Sequence, residues 1–300
     1  MPIQFTCPFC GAETNVADQY AGQSGPCAKC GQQITIPGTP VNTASYAAGS
    51  TPPPRKSSNT LLILGIIGGC LGVVVICGGI LLLPAVSAVR EAARRASCIN
   101  NIKQINLALL NYESTYGEFP PAYVADENGK PMHSWRVLIL PYLGYEEVFE
   151  KYNLDEPWNS PHNRSVTSMV SPGIFKCASD PSHDDGKTCF VMIVGPDCFA
   201  EGSTGRKMDQ IPDGSSNTIM IAEIADSDID WAEPRDLDAT TMSYRINDDS
   251  GSPCISSNHP GVANVGFVDG SVRSLSNDTS PQTVEQLIKI NDGSPDYDEY

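Results

Sequence analysis

Between Leu61 and Leu83 lie 23 consecutive uncharged, mostly apolar residues, and the patterning on either side of this run is different. A helix of that length reaches about 35 Å, enough for a bilayer hydrocarbon core of about 30 Å. One transmembrane helix is therefore expected over 60–84. The run starts too deep in the chain and is too long to be a cleavable signal peptide. Past Pro84 the apolar positions become periodic. Val86, Val89, Ala93, Ala96, Ile99, Ile102, Ile105, Leu109 and Tyr112 recur at steps of three and four, which predicts an amphipathic extension of the same helix over 85–117. Gly117 and Pro120 end it.

From 118 to 290 the pattern breaks into short segments separated by Pro, Gly, Asn and Asp. Short helices are predicted at 134–140 and 144–152, and strands at 188–194, 217–223, 263–268 and 271–275. One long helix followed by an antiparallel sheet is an α+β arrangement. In "HPGVANVGFVDGS" (259–271), Val265 and Phe267 alternate with Asn264 and Gly266, as in a half-buried strand. Asp269-Gly270 then predicts a two-residue type I′ turn, with Val268 opposite Ser271 and Phe267 opposite Val272. Residues 291–300 read as a solvated acidic tail.

Upstream of the apolar run, 38–59 is a linker rich in Pro, Ser and Gly. Residues 1–37 contain Cys7 and Cys10, a gap of sixteen residues, then Cys27 and Cys30. This C-x2-C-x16-C-x2-C spacing presents two thiolates on each of two knuckles, the tetrahedral set that zinc requires. Gly11 and Gly31 follow the pairs, where a knuckle needs positive φ. So small a unit lacks a sufficient core, while structural zinc supplies about 10–16 kcal/mol in apparent terms. All four positions are filled by protein, so a structural zinc ribbon is expected.

The formal net charge is −16, which argues against nucleic acid as the main partner. Residues 1–85 carry only Lys29, Arg55, Lys56, Glu13 and Asp18. Nearly all the negative charge thus belongs to the body beyond the apolar run. No metalloprotease helix motif, nucleophile elbow or phosphate-binding glycine loop occurs, and no catalytic residue is assigned. The acidic stretches 179–186 and 246–252 have the composition of calcium loops without EF-hand spacing, and are expected to be solvated turns.

Several blocks carry a resemblance. "LLLPAVSAVREAARRASCINNIKQINLALLNYESTYGEFPPAY", "SWRVLILPYL", "PWNSPHN", "FKCASDP", "VGPDCF", "IPDGSSNTIMIAE" and His259 followed after nine residues by Asp269-Gly270 occur in that order. Together they resemble a family of prepilin-like proteins of unknown function, abundant in planctomycetes and marked by an H-x9-DG motif. The resemblance implies a pilin-like fold, a long helix packed on an antiparallel sheet, facing outward from the cytoplasmic membrane. The prepilin signal typical of the family is missing before the apolar run, so a permanent single span is expected. Arg90, Arg94 and Arg95 follow the run and Arg55 and Lys56 precede it, so the positive-inside count slightly favours the opposite orientation. Thiolate-bound zinc suits a reducing cytoplasm, and the ribbon is expected inside.

Cys98 and Cys177 stand at family-pattern positions, and the resemblance implies that they pair. Such a disulfide would close a loop worth roughly 4 kcal/mol. Cys189 and Cys198 are a second candidate pair, leaving Cys254 odd. Related pseudopilins bind calcium, which makes calcium a second candidate ion beside zinc. His259 is read as a hydrogen-bonding anchor ahead of a ligand. The functional expectation is a membrane-anchored structural or interaction protein with protein partners at both ends, compatible with homo- or hetero-oligomers. The alternative is an extracytoplasmic solute- or glycan-binding module using Trp135, Trp158 and Trp231; a hydrolase ranks third.

Overall fold

A computed structural model describes residues 2–38, 59–170, 172–180 and 186–293, with the backbone alone for 59–84. The chain divides into two compact units, Met1–Gly68 and Gly69–Tyr300.

The first unit is a pair of antiparallel hairpins. β1 (Ile3–Thr6) pairs with β2 (Glu13–Val16), and β3 (Ser24–Pro26) with β4 (Gln33–Thr35). Among the described residues of this unit, Cys7 and Cys27 are the buried apolar side chains. Burial of that extent cannot offset the ordering entropy of some 35 residues.

The second unit is a mixed α+β domain. α1 (Asn59–Tyr116) is a single helix that ends where the Gly117 N–H bonds back to the Glu113 carbonyl. Then follow a small hairpin of β5 (Tyr123–Ala125) and β6 (Pro131–Ser134), and three short helices, α2 (Trp135–Leu138), α3 (Glu146–Lys151) and α4 (Pro161–Met169). The remaining elements are β7 (Phe190–Val191), β8 (Ile193–Val194), β9 (Ile219–Glu223), β10 (Leu237–Asp238), β11 (Val262–Phe267), β12 (Val272–Ser276) and α5 (Pro281–Ile288). The main sheet has the order β12-β11-β9-β7 and is antiparallel throughout.

The other predicted strands and both predicted short helices are present with shifted ends, while 188–194 splits at Met192 into β7 of the main sheet and β8, which pairs with β10. The apolar pattern does not predict α4 and α5. Each opens on a Ser-Pro pair, with the Ser160 or Ser280 hydroxyl accepting from the backbone N–H three residues on, as N-cap serine followed by proline at the first helical position favours. The apolar run 61–83, expected to cross a bilayer, lies among residues whose side chains are outside the described set. Among the described residues no helix is long and apolar enough to cross a membrane.

Two further expectations are corrected. The apolar stripe of α1 is buried only in its C-terminal half. Ile102, Ile105 and Leu109 are buried, whereas Val86 and Val89 are exposed. β11 is also not half-buried. α5 covers the face bearing Val265 and Phe267, and α1 covers the face bearing Asn264 and Gly266. A Cβ on Gly266 would stand 2.6 Å from the Asn106 amide and 2.7 Å from Ile102 Cγ2. Asn106 Nδ2 instead donates to the carbonyls of Phe267 and Ser271, each at 3.3 Å. The missing side chain lets the helix seat on the strand, and Asn106 fastens it there.

The closing turn differs as well. Gly266, not Phe267, opposes Val272. The Gly270 N–H reaches the Phe267 carbonyl and the Phe267 N–H reaches that of Ser271. Gly270 has φ +87°, while Asp269 is not among the positive-φ residues. A type I′ turn needs both. The loop is therefore the three-residue form closed by a glycine bulge, which moves the register by one.

Candidate metal centres

The first site grows from two copies of one turn. The Cys7 N–H bonds to Ala12 O and Gly11 N–H to Cys7 O; the Cys27 N–H bonds to Gln32 O and Gly31 N–H to Cys27 O. Gly11 and Gly31 have φ +66° and +72° with open space where a Cβ would stand, so the backbone conformation, not crowding, selects glycine. The turns face each other. Cys7 Sγ lies 3.8 Å from Cys30 Sγ, and Cys10 Sγ 3.8 Å from Cys27 Sγ. A disulfide would bring sulfurs to about 2.0 Å. Tetrahedral thiolates at about 2.3 Å from a zinc ion lie about 3.8 Å apart. Backbone hydrogen bonds from Lys29 and Cys30 hold the Cys27 thiol down to about 6. At Cys30 a bond from Gln32 acts in the same sense, but burial and the neighbouring thiols push it up to about 12. Four thiolates so close need a cation, and this set has the donors for a metal ion.

A second cluster forms inside the larger domain. Cys98 projects from α1, Cys177 from the loop after α4, Glu223 from the end of β9, and His259 from the turn before β11. All four are buried, and their ligand atoms lie within 4.8 Å of one another. His259 Nε2 is 3.4 Å from Cys177 Sγ and 3.7 Å from Glu223 Oε1. Its other nitrogen, Nδ1, bonds at 2.5 Å to Oε1 of Glu91, which precedes Cys98 on α1 by about two turns. The Ala178 N–H donates to Cys98 Sγ at 3.2 Å. Glu223 Oε2 accepts from the backbone and side-chain amides of Asn264 at 2.7 and 2.8 Å, and Ser274 Oγ holds Asn264 in turn at 2.6 Å. Glu223 Oε1 is buried without a hydrogen-bond partner among the described residues.

The electrostatics follow from that packing. The Cys177 thiol beside it, together with His259, draws the Cys98 thiol down to about 5 against the opposing effect of burial. Cys98 and then burial push Cys177 strongly up. Burial alone would lower His259, but hydrogen bonds to Cys98 and Glu91 raise it to about 9. Burial raises Glu223.

The expected disulfides are not formed. Cys98, Cys177, Cys189 and Cys198 are all free thiols. Cys98 and Cys177 do meet, but in a four-donor cluster. Cys189 and Cys198 do not meet: Cys189 Sγ donates to Asp180 at 2.9 Å, and Cys198 Sγ to the Pro196 carbonyl. His259 does more than anchor its turn, since Nε2 faces two thiols and a carboxylate that no turn requires. Asp269 and Gly270 remain turn residues: Asp269 Oδ1 accepts from the Ser271 N–H. The Asp248 loop is a turn bonded within itself, Asp248 accepting from the N–H and hydroxyl of Ser250. Part of the other acidic stretch, 181–185, lies outside the described residues.

Glu223 and Glu91 escape sequence reasoning, because one carboxylate among many carries no mark. The tryptophan rim proposed for a glycan site is largely interior. Trp135 and Trp231 are 0% and 2% exposed, and Trp158 packs partly against the same core. Trp135 Nε1 and the buried Arg136 guanidinium both bond Asp236, at 3.1 and 2.6 Å. These are interior fastenings.

Residues 87–203 match the family model of a protein of unknown function (DUF1559). No curated protein and no solved structure matches the chain. The DUF1559 segment contains Glu91, Cys98 and Cys177, and stops before Glu223 and His259.

Proposed function

We propose that the chain is a membrane-anchored, pilin-like structural and interaction protein with a structural zinc ribbon and no catalytic role. The observation that carries the reading is the single helix Asn59–Tyr116. Its N-terminal part contains the apolar run and its C-terminal part is seated on an antiparallel sheet. That order of parts, span then helix then sheet, suits an anchored subunit that holds a domain at the membrane surface. The four-cysteine set supports the ribbon: with four protein ligands it leaves no position for a substrate, which is the mark of a structural site. In this reading the ribbon lies on the cytoplasmic side, where thiolates stay reduced, and the α+β domain lies outside and contacts other proteins.

Two measurements on the full chain test it. After alkaline carbonate extraction of membranes the chain should stay in the pellet. In a Met169→Cys variant, the new thiol at this exposed position (78%) should react with an impermeant maleimide on intact cells, and the ribbon thiols should not. Release by carbonate, or labelling of the ribbon in place of position 169, overturns the reading.

A further inference from the structure

We propose that Cys98, Cys177, Glu223 and His259 form a second metal site, a buried centre for one zinc-class divalent ion that staples α1 to the sheet. The proposal does not depend on whether the ribbon binds metal.

The geometry points to it first. Around an ion with a sulfur at about 2.3 Å and a nitrogen at about 2.0 Å, the two donors of a tetrahedron lie about 3.5 Å apart. Cys177 Sγ and His259 Nε2 are 3.4 Å apart. Nitrogen and carboxylate oxygen at about 2.0–2.2 Å from the ion give about 3.4 Å, against 3.7 Å from His259 Nε2 to Glu223 Oε1. The remaining pairs lie within 4.8 Å, so a contraction of roughly 1 Å closes the set on one ion.

The surroundings point to it independently. Glu223 Oε1 is buried with no hydrogen-bond partner among the described residues. The other oxygen of the same carboxylate is fully engaged by Asn264. A buried acceptor left open in this way costs about 1–3 kcal/mol, a cost that a cation removes. The Glu91 bond to His259 Nδ1 presents Nε2 as the free nitrogen, the carboxylate–histidine–metal arrangement that fixes a ligand's tautomer and orientation. The Ala178 N–H directed at Cys98 Sγ stabilises a thiolate. Glu91 is thus a positioning residue and the other four are ligands. His259 also borders an open depression of about 560 Å³ together with Ser87, Glu91, Arg94, Arg95 and Pro260.

The donor set selects the ion. Two thiolates and an imidazole suit zinc and its borderline neighbours, and are poor ligands for calcium or magnesium. Four protein ligands leave no open coordination position, so the centre is structural. Only coordination bonds form. Protons on the Cys177 thiol and on the His259 imidazolium pass to solvent as the metal enters, and no electron moves. A nucleophilic Cys-His pair is the competing chemistry, but Cys98 and His259 are 0% and 1% exposed. The space beside Cys177, Glu223, Asp180 and Cys189 holds no water-sized volume.

The experiment uses the full chain with all four ribbon ligands replaced (Cys7→Ser, Cys10→Ser, Cys27→Ser, Cys30→Ser), supplied with zinc alone and measured by elemental analysis. One zinc per chain is expected to remain, and to disappear when Cys98→Ser and Cys177→Ser are added. Glu91→Gln should keep the stoichiometry and weaken zinc affinity about 10- to 100-fold, whereas a purely structural role for Glu91 would leave zinc affinity unchanged. Thiol alkylation of the unsubstituted chain, followed by peptide mass analysis, covers the case in which the variants fail to fold. Cys98 and Cys177 should be protected with zinc present and react after chelation. No zinc in the ribbon-free chain, zinc retained without Cys98 and Cys177, protection indifferent to chelator, or a Cys98–Cys177 disulfide would each overturn the proposal.

Discussion

Gly266→Ala is the smallest change that tests how the helix is held. The added methyl would arrive 2.6 Å from both terminal atoms of Asn106 and 2.7 Å from Ile102 Cγ2. Real Cβ atoms do not approach so closely, so α1 or Asn106 must move. Neither has room, since Asn106 and Ile102 are both 0% exposed. Overpacking of this kind costs about 1–3 kcal/mol. Displacing Asn106 also breaks its bonds to the Phe267 and Ser271 carbonyls, and a buried amide left unpaired adds about 1–3 kcal/mol. Replacing glycine by alanine within a strand returns roughly 0.5–1 kcal/mol. The net loss is about 3 kcal/mol, or a drop of about 6–12 °C in the melting temperature of a domain this size. Thermal unfolding followed by circular dichroism measures it directly. An unchanged or raised melting temperature would refute the account of Gly266 as the seat of the helix. Asn106→Ala offers a second check: with the amide gone the new methyl meets only Ile102, so the double variant should cost less than the sum of the singles by more than about 0.5 kcal/mol.

Three other outcomes are expected. Asp236→Ala leaves the buried Arg136 guanidinium without its counter-ion, holding only the Phe190 carbonyl and Ser134 hydroxyl, and should destabilise the domain by about 3–5 kcal/mol in chemical denaturation, with Arg136→Met/Asp236→Leu recovering much of the loss. Burial holds His133 below its usual 6.5, against a hydrogen bond to the Leu154 carbonyl. The unfolded chain therefore takes up this proton first, and the stability His133 contributes should be intact above about pH 6.5 and fall as pH drops through the folded value; the difference in melting temperature between the protein and His133→Gln should shrink on acidification, and a growing difference would reverse the sign. Gly11→Ala and Gly31→Ala each force a side chain into left-handed backbone at a cost of about 1–2 kcal/mol, and should weaken metal binding at Cys7, Cys10, Cys27 and Cys30 about equally in a zinc competition titration.

What could be read from the residues in order was what depends on neighbours in order. The thiol pairs at Cys7/Cys10 and Cys27/Cys30 announce their geometry because a knuckle is local, and Gly11 and Gly31 take the positive φ that spacing implied. The α+β order of elements was legible in the change from helical to strand periodicity. The buried cluster was not. Cys98, Cys177, Glu223 and His259 come from a helix, a loop, a strand end and a turn, with no two close in sequence, so no spacing rule brings them together. Two of them were expected to form a disulfide because the family resemblance places Cys98 and Cys177 at pattern positions, and nothing in the sequence shows the carboxylate and imidazole that join them. The role of Gly266 was hidden for a related reason, since it is defined by what a different element needs to do there. The register of the last hairpin was missed by one residue because Asp-Gly serves both the two-residue turn and the glycine-bulge loop, and Gly270 alone takes positive φ.

The bonds from Asn106 to the closing hairpin span 161 and 165 residues, and this sets an order of events during synthesis. α1 leaves the ribosome early with its buried face already formed, while the strand it lies against is among the last parts made. At about 5–20 residues per second that wait lasts on the order of ten to thirty seconds. Contacts so distant also make the search for them slow once the chain is complete. Throughout that interval Ile102, Ile105 and Leu109 form an unsatisfied apolar ridge that any other nascent copy can bind. A chaperone supplied during translation is therefore expected to raise yield more than one supplied afterwards.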